Sequence, residues 1–380
     1  MKDCYKNIKG YLQLPIKINN DRDYLSELKN TYIKYTQLLK DSKIPESIIC
    51  QVNKNCSQIN DAINCYYNGN VLSAQKYILE ILQEYKNNQL VISDVNKSYA
   101  FRGMLPFYND KQFEKEKKDE LNFFKARVSD EDVILGRKDM LHIPFDNRGI
   151  VKTQRFSIPG IPCLYLGTSS YVCWLELGKP QNSRFNVSSY KIKGDLKVLN
   201  LVLCWGLLCG ASSGIDYGFN SEMDDDDIIE TCLFLLPLVI ATSFVVLDKN
   251  RTFKSEYIIS QLIMLCLNYI DVDAVAYISK RVNTDYIGYP NAVNIAIPMK
   301  QNTDEKLSLQ CNQIELTKPI NFEEFCKLHR DDRWSYNRSY ITKSFEFNNK
   351  IILSEKRIDY GNTIFSEFDN YLIQLEHKII

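Results

Sequence analysis

The stretch QRFSIPGIPCLYLGTSSYVCWLEL, Gln154–Leu177, predicts a short strand that runs directly into a short helix. Pro159 and Gly160 suit a turn before the apolar run IPCLYL, which we expect to be the strand. The hydroxyl groups of GTSS suit a helix cap, and YVCWLEL allows about two helical turns before Gly178 and Pro180 end the helix. Such a corner is typical of an α/β or α+β core.

Three residues of this corner are candidates for chemistry, namely Arg155, Tyr165 and Glu176. Apolar neighbours leave little polar surface around Glu176. Its carboxylate is therefore expected either at the solvent edge of the helix or in a pocket, and the corner alone leaves both alternatives open.

Two further polar residues lie in apolar runs. Arg102 lies within AFRGML, where a charge is costly unless it is paired or binds a ligand. It is expected either to form a salt bridge or to bind a phosphate or carboxylate through its guanidinium group. Ser279 ends the apolar strand AVAYIS, where a serine either shapes a turn or orients a ligand. We expect SYAFRGMLPF, around Arg102, to be a strand.

Residues 1–95 are predicted to form a small all-α domain. One apolar stripe, with steps of three and four residues, consists of Leu25, Leu28, Tyr32, Tyr35 and Leu39. A second stripe consists of Ala74, Ile78, Ile81 and Tyr85, after Asn70 as a cap. Nothing in this region has a catalytic pattern, so we expect a regulatory or oligomerisation role.

In residues 96–380, strands and helices alternate irregularly, which predicts a compact α+β domain with a C-terminal extension that wraps back onto it. Strands are expected at LKVLNLVL, DAVAYIS and NAVNIAIP. A helix over FKSEYIISQLIMLCLNYI would carry one apolar face made of Ile258, Leu262, Leu265 and Tyr269. Cys232–Leu247 is apolar but shorter than the roughly 20 residues of a membrane span, so we expect a buried helix there.

Composition narrows the function classes. The chain has 380 residues, of which 45% are hydrophobic, and its 47 basic and 47 acidic residues cancel. This balance disfavours a general nucleic-acid binder. His142, His329 and His377 lack metal-ligand spacing, which disfavours a zinc site or a Ser-His-Asp triad. The 12 cysteines lie mostly in apolar segments without C-x-x-C spacing, and no secretory signal is seen, so we expect a cytoplasmic protein.

In their order and spacing, the arginine, tyrosine, glutamate and serine segments resemble the RES family, which is named for its arginine, glutamate and serine. The matching segments are YAFRGM, RFSIPGIPCLYLG with YVCWLEL, and AYISKR with NAVNIAIP. Longer members of that family also carry a helical domain in front. Two departures are Gln154, where a glycine often precedes the second arginine, and a long insertion around Asp224, which leaves Ser255 as an alternative to Ser279.

The resemblance implies an ADP-ribosyltransferase-like catalytic domain that uses NAD⁺ as its substrate and needs no metal. Glu176 would stabilise the positive charge that develops on the ribose, and Arg102, with Arg155, would bind the pyrophosphate. Tyr165 would pack on the nicotinamide or ribose, and Ser279 would hold the nicotinamide side. The NAD⁺-binding residues so implied are Arg102, Arg155, Tyr165, Ser279 and Asn291.

The leading hypothesis is a bacterial toxin or anti-phage defence effector that breaks the nicotinamide–ribose bond of NAD⁺. One alternative uses the same pocket to transfer ADP-ribose to a protein. The other is a catalytically silent protein that senses a nucleotide, although such a protein would be expected to lose Glu176. The expected partners are NAD⁺, an antitoxin or defence-system protein and further copies of the chain, without membrane or direct nucleic-acid contact.

Overall fold

A computed structural model describes residues 12–19, 24–104, 121–130, 133–203, 225–248, 251–283, 290–301, 304–330 and 350–380. The described chain mixes helices and strands in an α+β arrangement with a helical N-terminal region. Its α-helices are α1 (Tyr24–Asp41), α2 (Glu46–Tyr67), α3 (Val71–Gln83), α4 (Ser170–Glu176), α5 (Asp225–Ala241), α6 (Ile258–Cys266), α7 (Phe322–Arg330) and α8 (Ile364–Gln374). Its strands are β1 (Ile16–Ile18), β2 (Ile92–Asp94), β3 (Asn122–Val128), β4 (Cys163–Gly167), β5 (Phe185–Ile192), β6 (Lys197–Asn200), β7 (Phe244–Val246), β8 (Ala274–Ile278), β9 (Val293–Pro298), β10 (Ile314–Leu316), β11 (Ile320–Asn321), β12 (Lys350–Leu353) and β13 (Lys356–Asp359).

The centre of the described structure is a nine-stranded sheet. Its order is β10-β5-β3-β4-β9-β8-β6-β2, and β11 also pairs with β5. β6 and β8 pair in parallel, whereas β4, β9 and β8 form an antiparallel series. The strands predicted at IPCLYL, LKVLNLVL, DAVAYIS and NAVNIAIP are confirmed as β4, β6, β8 and β9.

Alternate residues of the sheet belong to two separate hydrophobic cores, as the two-residue period of a strand requires. In β8, Val275 and Tyr277 face the core that is shared with the N-terminal helices, α5 and α6. Ala276 and Ile278 face the second core, which includes residues of α4, α7 and α8. The sheet is therefore covered by helices on both faces.

The N-terminal helices form one core together with α5 and α6. The predicted stripe of α1 is confirmed, because Leu25, Leu28, Tyr32, Tyr35 and Leu39 are buried. The predicted cap of α3 is also confirmed, since the side chain of Asn70 accepts a hydrogen bond from the backbone N–H of Ser73. The domain boundary at residue 95 stays a prediction; what the structure adds is that these helices pack on later parts of the chain.

Helix α5 contains Pro237, which has no N–H to donate to the carbonyl group of Leu233 one turn earlier. The hydroxyl group of Tyr35 donates to that carbonyl oxygen over 3.1 Å. The hydroxyl groups of Tyr32 and Tyr24 donate to the carbonyl groups of Pro237 and Ala241. The side chain of Tyr35 in α1 thus replaces the hydrogen bond that the helix loses at its proline.

Two predictions about local structure are wrong. Tyr99–Met104 forms a turn of 3₁₀ helix rather than a strand, because Ser98 caps it by accepting hydrogen bonds from Ala100 and Phe101. The expected helix over Cys232–Leu247 ends at Ala241, since Phe244–Val246 pairs in parallel with β1 as β7. That partner strand lies far away in the sequence, so the local pattern does not indicate it.

The predicted one-sided apolar face of α6 is also wrong in part. Ile258 and Leu262 are buried, but Tyr269 is 63% exposed, and Ile259 and Ile263 on other sides of the helix are buried as well. α6 is surrounded by core on most of its circumference, so a one-sided stripe does not describe it. In the described part of the chain, no helix is both long enough and apolar enough to cross a membrane.

The C-terminal residues that the structure describes pack back onto the sheet, as expected. Phe322 in α7 and Phe365 in α8 stack with their ring centroids 5.1 Å apart. Both lie in the second core with residues of α4. The C-terminal extension therefore supports the helix that carries Glu176.

Candidate functional site

The corner between β4 and α4 is tightly packed. The side chain of Ser169 caps α4 by accepting a hydrogen bond from the N–H of Val172, and Gly178 follows the helix with a φ of 78°. A Cβ atom on Gly167 would lie 2.3 Å from the side chain of Val172. Only a glycine at this position therefore allows α4 to begin so close to β4, which fixes where Glu176 emerges at the other end.

A residue from α8 holds the first turn of α4. The carboxylate of Asp369 accepts hydrogen bonds from the backbone N–H of Ser170 (2.9 Å) and from the hydroxyl group of Tyr360 (2.5 Å). A negative charge is favourable at a helix N-terminus. Burial nevertheless dominates and raises the pKa of Asp369 to about 7.

Glu176 is the last residue of α4, where a carboxylate meets the negative end of the helix dipole. Two donors offset this. The hydroxyl group of Ser279 and the amide nitrogen of Asn294 both donate to the same oxygen, Oε1, each over 2.7 Å. Ser279 and Asn294 are buried, whereas 36% of the Glu176 side chain is exposed. One carboxylate oxygen is thus fixed from inside the fold.

The second oxygen of this carboxylate has a looser neighbour. The Nε atom of Arg281 lies 3.8 Å from Oε2 of Glu176, beyond the range of a hydrogen bond. The backbone N–H of Arg281 donates to the hydroxyl oxygen of Ser279 over 3.1 Å, which ties the turn after β8 to the same serine. We call Glu176, Ser279, Arg281 and Asn294 the carboxylate cluster.

The strand register places two tyrosines on the same sheet face as Asn294. Asn294 pairs with Tyr277 in β8 and with Gly167 in β4, and Tyr165 is two positions from Gly167. Burial is the main cause that raises the pKa of Tyr277, with a smaller raising effect from the charge of Glu176 and a lowering effect from Arg155. The charges of Glu176 and Arg155 therefore both act on Tyr277.

Tyr165 and Arg155 organise the loop before β4. The hydroxyl group of Tyr165 donates to the carbonyl oxygen of Phe156 over 2.8 Å, and burial raises its pKa well above the usual value. The guanidinium group of Arg155 donates to three carbonyl oxygens, those of Thr242, Phe244 and Glu256. Arg155 also lies over the ring of Tyr257 at 4.7 Å. These bonds use three of the five N–H donors of Arg155 and hold its guanidinium group against the backbone.

Ser255, the alternative to Ser279, lies in a different environment. Its hydroxyl oxygen accepts a hydrogen bond from the guanidinium group of Arg251 over 3.0 Å, and Arg251 also lies 3.8 Å from the carboxylate of Glu256. The hydroxyl group of Ser255 is thus bonded to Arg251 rather than to Glu176. The structure brings together Glu176 and Ser279.

The two remaining predicted site residues are Arg102 and Asn291. The backbone of Arg102 lies in the turn Tyr99–Met104, and its side chain is outside the described part of the chain. The backbone carbonyl group of Asn291 accepts a hydrogen bond from the hydroxyl group of Ser169, so it helps to hold the start of α4. Asn294, three residues later, is the asparagine whose side chain reaches Glu176.

Sequence reasoning missed Asn294 and Arg281. The signal for Asn294 is a polar amide inside the otherwise apolar strand VNIAIP, where burial requires a hydrogen-bond partner. The signal for Arg281 is its place two residues after the strand-end serine. Among the described residues, no group of three or more His, Cys, Asp and Glu side chains is placed to hold a metal ion, and a reaction without metal stays a prediction.

Comparison with known proteins gives one relative to consider. A protein of Bacillus subtilis (strain 168) named "Putative toxin YopC" is 33% identical over 217 residues, which are 55% of this chain and 48% of that protein. The chain thus matches about half the length of this relative. No protein-family model matches the sequence, and no solved structure matches it.

Proposed function

We propose that this protein is a toxin that cleaves NAD⁺ at the bond between nicotinamide and ribose, in a catalytic domain resembling RES proteins and ADP-ribosyltransferases. The observation that carries this proposal is the contact of Glu176 with Ser279, two residues singled out from sequence segments that lie far apart in the chain. The similarity to a protein named as a toxin supports the biological role.

The chemistry follows from the two oxygens of Glu176. Ser279 and Asn294 fix Oε1, so Oε2 is the oxygen that is left to meet a ligand. When the C–N glycosidic bond breaks, nicotinamide keeps the bonding electron pair and the ribose carbon becomes positively charged. An oriented carboxylate stabilises that charge without moving during the reaction. A water molecule then attacks the same carbon and releases a proton.

The other predicted residues have supporting roles in this proposal. Tyr165 shares a sheet face with Asn294, so its ring is suited to pack on the ribose or nicotinamide. Arg102 remains the proposed pyrophosphate-binding residue. Arg155 holds the loop before β4 through its three carbonyl contacts. The backbone carbonyl group of Asn291 holds the start of α4 by accepting a hydrogen bond from Ser169.

The test is nicotinamide release from NAD⁺ by the full chain, measured by chromatography. Wild type is compared with Glu176→Gln and with Glu324→Gln, a surface control in α7. We expect release by wild type and the control, and a loss of about 100-fold or more in Glu176→Gln, because an amide cannot stabilise the positive ribose. Equal rates in Glu176→Gln and wild type would contradict the proposal.

The co-product separates the alternatives. ADP-ribose indicates hydrolysis, a phosphorylated ADP-ribose formed in phosphate buffer indicates phosphorolysis, and labelled protein indicates an ADP-ribosyltransferase. Saturable NAD⁺ binding without turnover, unchanged in Glu176→Gln, would favour the nucleotide sensor instead. Absence of both binding and turnover would remove NAD⁺ as the ligand.

The same proposal includes the expected partners and location. A toxin that depletes NAD⁺ in its own cytoplasm needs restraint, which an antitoxin or a second copy of the chain would supply. Size-exclusion chromatography with light scattering measures the oligomeric state. Co-purification from the producing cell, with NAD⁺ cleavage assayed before and after separation, tests for an inhibitor.

A further inference from the structure

Arg281 is distinguished by how its guanidinium group is used. Its Nε atom is 3.8 Å from Glu176, too far for a hydrogen bond, and 52% of its side chain is exposed. Among the described residues, the carboxylate of Glu176 is the acid that this group approaches. The five N–H donors of an arginine are therefore held near the carboxylate cluster without being consumed there.

Three other arginines of the described chain donate hydrogen bonds to groups outside the carboxylate cluster. Arg155 donates to three backbone carbonyl oxygens, and Arg251 donates to Ser255. Arg148 donates to the carbonyl group of Gly160 and to the side chain of Gln301. These bonds hold the three guanidinium groups in place at other parts of the chain, whereas no hydrogen bond to a described residue holds the guanidinium group of Arg281 away from a ligand beside Glu176.

Arg281 also has a fixed relation to Glu176. Ser279 donates to Glu176 and accepts from the backbone N–H of Arg281, so one hydroxyl group connects the two residues. A ligand that places a hydroxyl group on Oε2 of Glu176 therefore has a cationic fork beside it. A ribose that carries a 5′-phosphate presents hydroxyl groups on C2′ and C3′ and an anion on C5′, and a guanidinium group binds phosphate in a bidentate manner.

We propose that Arg281 binds the phosphate attached to the ribose whose bond is cleaved, and so restricts the substrate to 5′-phosphorylated nicotinamide nucleosides. This inference rests on the proposed function, because it assumes that Glu176 meets that ribose. It gives Arg281 the role of a second phosphate-binding arginine that the sequence analysis gave to Arg155, and it leaves the proposed role of Arg102 unchanged.

The test compares three substrates: NAD⁺, nicotinamide mononucleotide and nicotinamide riboside, which lacks the phosphate. We expect Arg281→Gln to lower kcat/KM for the two phosphorylated substrates about 10- to 100-fold, mainly through KM. Cleavage of the riboside should change by no more than about twofold. Arg281→Lys should recover part of the loss, since it keeps the charge but not the fork. The control is Arg357→Gln, an exposed arginine in β13.

An equal loss for the riboside would overturn the inference, because Arg281 would then act only through Glu176. A second measurement separates this result from failure of the proposed function. Calorimetric binding of nicotinamide mononucleotide and of the riboside is measured in the Glu176→Gln protein, with and without Arg281→Gln. If Arg281→Gln weakens binding of the mononucleotide but not of the riboside, the proposed role of Arg281 is supported even if wild type releases no nicotinamide. Unchanged binding of both ligands, or binding of neither, contradicts that role.

Discussion

At the scale of single residues, Ser279 and Ser255 differ in what their hydroxyl groups contact. Ser279 donates to the carboxylate of Glu176, whereas Ser255 accepts from Arg251. A hydrogen bond to a charged group contributes about 1.5–3 kcal/mol, so Ser279→Ala should lower kcat/KM for nicotinamide release about 10- to 100-fold. Ser255→Ala should leave turnover unchanged and lower the free energy of unfolding by about 1.5–3 kcal/mol, because its partner Arg251 is charged. A larger loss of turnover in Ser255→Ala would reverse the assignment.

The sequence segments indicated Glu176 and Ser279, because a carboxylate and a hydroxyl group at element ends stand out against apolar neighbours. Asn294 and Arg281 were missed for a physical reason. The contact of Asn294 depends on the register that pairs it with Gly167 and Tyr277, and strand register is a property of the sheet rather than of one strand. Arg281 was missed because the sequence does not show that the guanidinium group of Arg155 donates to backbone carbonyl groups far away in the chain, those of Thr242, Phe244 and Glu256.

At the scale of elements, helix α4 is anchored through Asp369, and this contact predicts a pH effect. Burial raises the pKa of Asp369 to about 7, above the ordinary value near 4, with Tyr360 and Cys173 as neighbouring titratable groups. The folded state therefore binds more protons than the unfolded state across this window. The contribution of Asp369 to the free energy of unfolding should fall as pH rises from about 4 to 7, by up to about 1.4 kcal/mol per pH unit.

Urea denaturation at several pH values measures this slope. Asp369→Asn keeps an oxygen for the N–H of Ser170 but does not titrate, so its slope should be flatter by close to one proton. Asp359→Asn, an exposed acid of β13, is the control and should retain the wild-type slope. A slope in Asp369→Asn that matches wild type would show that Asp369 titrates normally.

Helix α5 gives a second prediction at this scale. Tyr35→Phe leaves the buried carbonyl group of Leu233 without a donor, because Pro237 cannot supply one. We expect a loss of about 1–3 kcal/mol in the free energy of unfolding, measured by urea denaturation. Tyr32→Phe is the matched control and should cost less, since the carbonyl group of Pro237 has the N–H of Ala241 at helical spacing.

A double-mutant cycle decides whether the proline is the cause. Pro237→Ala restores an N–H one turn after Leu233, so Tyr35→Phe should cost less in that background than in wild type. Equal costs in both backgrounds would show that the tyrosine stabilises the helix by packing alone.

Local patterns predicted several helices and the strands β4, β6, β8 and β9, and they failed where a distant partner or a local cap decided the outcome. The apolar stripe of α1 and the cap at Asn70 depend on neighbours within one or two turns, and both are confirmed. Phe244–Val246 is a strand because β1 pairs with it, and Tyr99–Met104 is a turn because Ser98 caps it. The sequence around Phe244–Val246 does not show that β1 pairs with it. The alternating pattern around Tyr99–Met104 is also typical of a strand, which hides the cap at Ser98.

At the scale of the whole molecule, the helical N-terminal region connects to the candidate site through two steps. β1 pairs with β7, so the first described residues hold the segment Phe244–Val246. Arg155 donates to the carbonyl groups of Thr242 and Phe244, which holds the loop before β4 against that segment. Tyr165 then ties the same loop to the sheet through Phe156. A change in β1 should therefore reach the sheet face that carries Asn294.

Removal of residues 1–90 should unfold the protein rather than release an active domain. α1, α2 and α3 share one hydrophobic core with α5, α6 and one face of the sheet, so the truncation would expose apolar side chains along two helices. It would also remove β1 and the tyrosine hydroxyl groups of α1 that donate hydrogen bonds to carbonyl oxygens of α5. We expect an insoluble chain, or a soluble one without cooperative melting in circular dichroism. A truncated protein that melts cooperatively would instead support an independent N-terminal domain, and its rate of nicotinamide release would then show whether that domain restrains the site.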